Sequence, residues 1–153
     1  MSVSATARAI NAPPKQAVTF NPIGVIPLPA AASGDVAVLT MKVPIGYDGI
    51  ITGQFNIYTG GFGGTFEEGS GDLIWRVLVY DPSLPRYLKD CGQILVSLGQ
   101  VNKYQTVPGG LLVRSGNSIV YVVNAPNVTG NLPPAGTGSI ICGLHGWLWP
   151  RTN

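Results

Sequence analysis

The sequence predicts an all-β protein, an antiparallel sandwich of short strands, on three observations. Short apolar runs alternate with turn residues along most of the 153-residue chain,. Apolar residues nowhere recur at the i, i+3, i+4, i+7 spacing of an amphipathic helix. Glycine and proline, 21 and 13 residues, supply the many turns that a layered arrangement of short strands requires.

Residues 1–34 read as an extended N-terminal arm. Pro13, Pro14, Pro22, Pro27 and Pro29 block helix and central strand, leaving room for one edge strand over residues 18–26. Such an arm is floppy alone, so a neighbouring subunit is its natural support, and deletion of residues 1–30 should leave the domain folded. Residues 35–153 read as one domain. A strand over 36–43 ends at Pro44 and a turn over 46–49. Residues 50–58 alternate, with Ile51, Phe55 and Ile57 on one face and Thr52, Gln54 and Asn56 on an expected wet face,. A glycine-rich loop spans 60–71. Residues 73–80 are apolar on both faces, with Leu73, Trp75, Val77 and Val79 on one and Ile74, Leu78 and Tyr80 on the other, broken by Arg76. That pattern fits a strand sandwiched between layers or one with its outer face in an interface. Weaker strands follow over 86–88 and 94–98, then 111–114, a Ser115-Gly116-Asn117 turn, 118–124, a long loop over 125–138, and a last strand over 139–149. Roughly eight strands suggest a jelly-roll-like sandwich. Strand order does not follow from spacing, so an immunoglobulin-like sandwich stays open.

Charge is scarce. Asp, Glu, Lys and Arg make up 10% of the chain, against roughly 25% in an ordinary soluble domain. Hydrophobic residues make up 45% and the mean hydropathy is +0.27. A β-rich domain of this size cannot easily cover itself in water with so few ions, so part of its apolar surface is expected to lie against other subunits. The net charge of +2 is carried by scattered Lys and Arg without a basic stripe, which argues against nucleic acid. No stretch approaches the roughly 18 apolar residues of a membrane-spanning helix. The first eight residues carry one basic residue and no apolar run, so no secretory signal is expected, and synthesis in the cytoplasm fits. Cys91 and Cys142 make no disulfide framework and read as buried thiols,. Asn127-Val128-Thr129 matches a glycosylation sequon but reads as chance in that setting,.

Three segments carry a resemblance: Val43-Pro-Ile-Gly-Tyr-Asp-Gly-Ile50, Gly71-Asp-Leu-Ile-Trp-Arg-Val77 and Pro108-Gly-Gly-Leu-Leu-Val-Arg-Ser-Gly-Asn-Ser-Ile-Val-Tyr-Val-Val-Asn124. With the terminal Gly146-Trp-Leu-Trp-Pro-Arg151 they resemble small jelly-roll structural proteins of tailed bacteriophages, the auxiliary or decoration proteins of the head. The resemblance covers residues 36–151 and leaves the arm unmatched. It implies a dimer or trimer that clamps neighbouring major capsid subunits or other virion subunits, with no cofactor and no catalytic residue. Neck, tail and baseplate proteins of the virion fit the composition almost as well.

Catalytic chemistry finds little footing. His145 stands alone, and Cys142, three residues before it, points to the opposite face of a strand,. A nucleophile, base and orienting group therefore do not gather locally. Two Cys and one His without paired spacing fall short of a zinc site. Calcium could use Glu67, Glu68 and Asp72 with loop carbonyls, although a solvated loop tip is the simpler reading,. Gly60 to Gly64 lacks the Gly-Lys-Ser/Thr and the helix of a phosphate loop,. Among the aromatics, Tyr58, Phe62, Phe66, Trp75, Tyr80, Trp147 and Trp149 could include a sugar-stacking platform, which makes a carbohydrate- or receptor-binding module the rival reading. Core or interface packing is the favoured reading of Trp147 and Trp149. The expected interface residues are Pro13, Pro14 and Phe20 in the arm, Phe62 and Phe66 in the glycine-rich loop, and Trp147, Trp149 and Arg151 at the end of the chain,.

Overall fold

A computed structural model describes residues 15–67, 69–81, 87–90 and 103–151. Among them lie nine strands and no helix: β1 (Val18–Phe20), β2 (Ile23–Pro27), β3 (Asp35–Lys42), β4 (Tyr47–Tyr58), β5 (Ile74–Tyr80), β6 (Tyr87–Asp90), β7 (Lys103–Val113), β8 (Ser118–Asn124) and β9 (Ser139–Pro150). They form two antiparallel sheets. One runs β1-β9-β4-β7, with β2 sharing the β9 edge beside β1; the other runs β3-β8-β5-β6. The all-β antiparallel sandwich expected from the sequence is the fold.

The strand patterns explain which face turns inward. Trp75, Val77 and Val79 of β5 and Ile119, Tyr121 and Val123 of β8 occupy alternate positions. They meet Ile140, Cys142, Leu144 and Leu148 of β9 and Ile51 and Tyr58 of β4 in one apolar cluster. Burying an aliphatic or aromatic side chain of this kind stabilises the fold by about 1.5–3 kcal/mol. The outer side of the β3-β8-β5-β6 sheet mixes Ile74, Leu78 and Val122 with charge. There Arg76 pairs with Asp35, whose other oxygen accepts a 3.0 Å bond from Asn124 Nδ2.

Three expectations need correction. First, the arm does not extend to residue 34. β1 and β2 pair with β9 of the same chain, Thr19 opposite Trp147 and Val25 opposite Ile141. Beyond them the Leu28 N–H reaches the Gly138 carbonyl at 3.2 Å and the Ala32 N–H reaches the Ala125 carbonyl at 2.8 Å. Pro22 falls between the two short strands and Pro27 ends the second, positions at a sheet edge where a missing N–H is tolerated,. Deleting residues 1–30 would strip two strands from the sheet, so the clean truncation stops at residue 14.

Second, β4 faces the other way along its second half. The register shifts between Ile51 and Gly53 against both neighbours, a bulge at Thr52 whose hydroxyl reaches the His145 carbonyl at 3.4 Å. One extra residue flips every following side chain. Gln54, Asn56 and Tyr58 therefore point into the sandwich and are buried, while Phe55 and Ile57 point outward and are half-buried. Third, β7 begins at Lys103 and is far longer than the expected 111–114 segment. Its register against β4 jumps from Leu111 to Thr106, so the turn-like Pro108-Gly109-Gly110 bulges out of a strand that continues beyond it,. The expected strand over 94–98 lies outside the described residues.

Candidate functional site

Cross-strand register defines the most distinctive surface, the outer face of the β1/β2-β9-β4-β7 sheet. Along β9, Cys142, Leu144 and Leu148 enter the core, so Ile141, His145, Trp147 and Trp149 point outward,. Ile57 pairs with Ile141, Phe55 with Gly143 and Ile50 with Trp147. Tyr104 of β7 lies opposite Phe55. Ile23 and Val25 of β2 extend the same face past β9 and are 61% and 59% exposed, and Tyr104 is 55% exposed. His145 sits between two rings, 6.5 Å from Tyr104 and 5.6 Å from Trp147, both edge-on. Its Nδ1 is hydrogen-bonded to Asn21 in the β1–β2 link.

Two glycines shape this face. A Cβ at Gly53 would collide with the Tyr104 ring, and one at Gly143 would collide with the Phe55 ring. The two aromatic rings therefore lie down on bare backbone, and a broad, low apolar surface results. Its charged groups are at one end, where Asp48 meets the Arg114 guanidinium at 3.4 Å and that of Arg151 at 3.9 Å.

The sequence-predicted interface residues divide between this face and the interior. Trp147 and Trp149 lie on it, half-buried, and Arg151 stands at its end beside Asp48. Phe20 turns inward over Gly146 and packs against the core. Phe66 is buried and stacks on Phe62 at 4.9 Å, and both rings meet Tyr58 edge-on at 5.8 and 5.5 Å. The loop closes through paired Gly63–Phe66 backbone bonds of 2.9 and 3.2 Å, which bring both phenylalanines back onto their own domain. Phe66 therefore offers no surface to a partner. Pro13 and Pro14 lie outside the described residues. Sequence reasoning missed Phe55, Ile57 and Tyr104, and the signal that could have found them is Gly53, since a glycine inside a strand marks a bulge or a close approach.

The acidic loop is braced from within. Asp72 is buried, and its Oδ1 accepts a 2.9 Å bond from the Thr129 N–H while Oδ2 accepts one from the Thr129 hydroxyl. This ties the glycine-rich loop to the 125–138 loop and uses both oxygens that a cation would need. Glu67 stands exposed and Glu68 lies outside the described residues. Among the described residues no group of three or more His, Cys, Asp or Glu gathers where it could hold a metal ion. Burial works to raise the Asp72 pKa, but the Thr129 and Ser70 hydrogen bonds outweigh it and hold it below the ordinary value,. A carboxyl with a lower pKa in the folded state stabilises the fold above its unfolded pKa, and that contribution is lost as pH falls through the folded value. Chemical denaturation of the wild type should show stability falling on acidification between about pH 5 and about pH 2. In Asp72→Asn the part of that fall due to this carboxyl should vanish; an unchanged pH profile would show that Asp72 is not its source.

Inside the sandwich a chain of polar groups spans the two sheets. Gln54 Nε2 donates to Gln105 Oε1 at 2.8 Å, the Tyr121 hydroxyl donates to Gln54 Oε1, and Asn56 Nδ2 donates to the Tyr121 oxygen at 3.1 Å. Burial pushes the Tyr121 hydroxyl well above its ordinary pKa, with nearby Cys142 adding and Asn56 opposing. Burial likewise pushes the Cys142 thiol up, and the Trp75 indole N–H draws it partly back. A thiol held protonated in the core is a poor nucleophile, and His145 lies on the opposite face of the same strand,. These groups hold the layers together rather than present chemistry to a substrate.

The fold and this surface define an antiparallel β-sandwich with one apolar outer sheet face. No protein-family model matches the sequence, and no curated protein matches it.

Proposed function

We propose that this chain is a non-enzymatic structural subunit of a virus particle, a jelly-roll decoration or cementing protein that binds neighbouring major capsid subunits of a tailed phage. The observation that carries the reading is the exposed apolar face centred on Phe55, Tyr104 and Trp147, in a chain with 10% charged residues. Protein that faces protein needs fewer ions than protein that faces water. The strand orders support the jelly-roll assignment. With β1 and β2 counted as one leading strand, they run first, eighth, third, sixth in one sheet and second, seventh, fourth, fifth in the other. In that layout every successive pair of strands except the fourth and fifth, a hairpin within one sheet, crosses between the layers, as two interleaved Greek keys require. The sequence resemblance supplies the phage particle. In the mechanism, each weak contact is multiplied by a lattice that holds bound subunits at high effective concentration.

Co-sedimentation of the purified chain with heads of the phage that encodes it tests this reading. Saturable binding, weakened when residues 1–14 are removed, is expected if the arm reaches a neighbour. Absence of binding to heads together with specific glycan binding would establish the rival module, which the Tyr104–His145–Trp147 row of rings favours.

A further inference from the structure

We propose that the outer face of the β1/β2-β9-β4-β7 sheet is a self-association surface, on which a second copy of this chain packs about a two-fold axis. The inference rests on the reading of the chain as an assembly subunit and adds which face is used and which partner takes it.

The argument for a second copy begins with polarity. Along the middle of the face, Ile57 and Ile141, Phe55, Tyr104 and Trp147 present apolar surface in register. Of the polar side chains on it, Asn21 and His145 are bonded to each other, and Thr19 and Thr106 add two small hydroxyls opposite Trp147 and Gly53. A glycan would bring many hydroxyl groups that need partners, and this face has few to give. In a two-fold interface a group close to the axis lies near its own symmetry mate, so a charge there would meet a like charge. The described side chains of this face hold their charge at one end, where Asp48 is already matched by Arg114 and Arg151. A copy of the same face can therefore approach without repulsion.

Shape and size agree. The rings lying on Gly53 and Gly143 leave a low surface, which suits aligned sheet-on-sheet packing about 10 Å apart. β9 has 12 residues. At about 3.3 Å per residue, and with four strand positions about 4.8 Å apart, the face measures about 750 Å² in projection. A standard stable interface takes about 800 Å² from each partner. The outer side of the opposite sheet also carries Ile74, Leu78 and Val122, but there the Asp35–Arg76–Asn124 group sets a charge pair among them.

Sedimentation equilibrium of the full chain, over a dilution series, tests the proposal. The wild type should be a dimer. Val25→Lys and Tyr104→Lys each place a cation in the interface twice and should weaken association at least about 100-fold. Both sites are more than half exposed, 59% and 55%, so the variants should keep the wild-type circular dichroism. Val128→Lys, at a residue 69% exposed in the 125–138 loop beside Gly71, should leave the dimer intact. A wild type that is monomeric at every concentration would overturn the proposal, and so would an oligomer that both face variants leave unchanged. If either result is accompanied by binding to phage heads, the structural-subunit reading stands and only the choice of face or partner fails. A monomer that binds glycans and ignores heads removes both.

Discussion

Replacing Trp75 by alanine should destabilise the protein by about 3–5 kcal/mol, the usual loss for a large aromatic removed from a core. Trp75 is the largest of the fully buried side chains and lies on the inner face of β5, between its neighbours β8 and β6. Its removal would leave a cavity that two hydrogen-bonded sheets cannot collapse around. In a domain of this size about 1 kcal/mol moves the melting temperature by about 2–4 °C, so a fall of about 6–20 °C is expected. Trp75→Phe separates volume from polarity. The indole N–H has only the Cys142 sulfur, a weak acceptor, beside it, so phenylalanine gives up volume and little polar pairing. It should therefore be much milder than alanine. If the alanine variant melts within a few degrees of the wild type, the core does not depend on this residue.

Tyr121→Phe should cost about 2–4 kcal/mol, although it removes one oxygen and almost no volume. The hydroxyl joins the sheets by donating to Gln54 and accepting from Asn56, both of which are buried. Without it Gln54 Oε1 loses its donor and Asn56 loses that acceptor, in a medium where unmet polar groups are expensive. The asymmetry can be measured. Pairing Tyr121→Phe with Gln54→Met removes donor and acceptor together, and this double variant should regain part of the loss. Denaturant unfolding of the single and double variants gives the coupling between the two residues. Strict additivity would show that the short Tyr121–Gln54 contact contributes nothing to stability.

Much of the fold was legible in the sequence, for reasons visible at particular residues. Ser118 to Asn124 follows the Ser115-Gly116-Asn117 turn as a β-branched apolar run, and β8 has those bounds. The two-faced apolar run became β5 in the middle of its sheet, with Trp75, Val77 and Val79 in the core. The opposed faces of Cys142 and His145 followed from strand parity alone,. β4 was misread because parity holds only while the register is unbroken. Gln54 and Asn56 are amides, and position by position they look like a solvent face. Their burial depends on the Tyr121 hydroxyl, which arrives from a strand 65 to 67 residues away. The arm was misread because prolines announce an edge without saying whose edge it is.

The sequence by itself determined the β class, most strand positions, the poverty of charge, and the opposed faces of Cys142 and His145. These depend on residue type and on spacings of a few positions, and the physics behind them is local. Only the tertiary structure decided which faces turn inward after the Thr52 bulge, and that residues 18–27 close on β9 of their own chain. It also decided that Phe55, Tyr104, His145 and Trp147 share one outer face. Those outcomes depend on pairing between strands far apart in sequence, where one inserted residue reverses every side chain that follows.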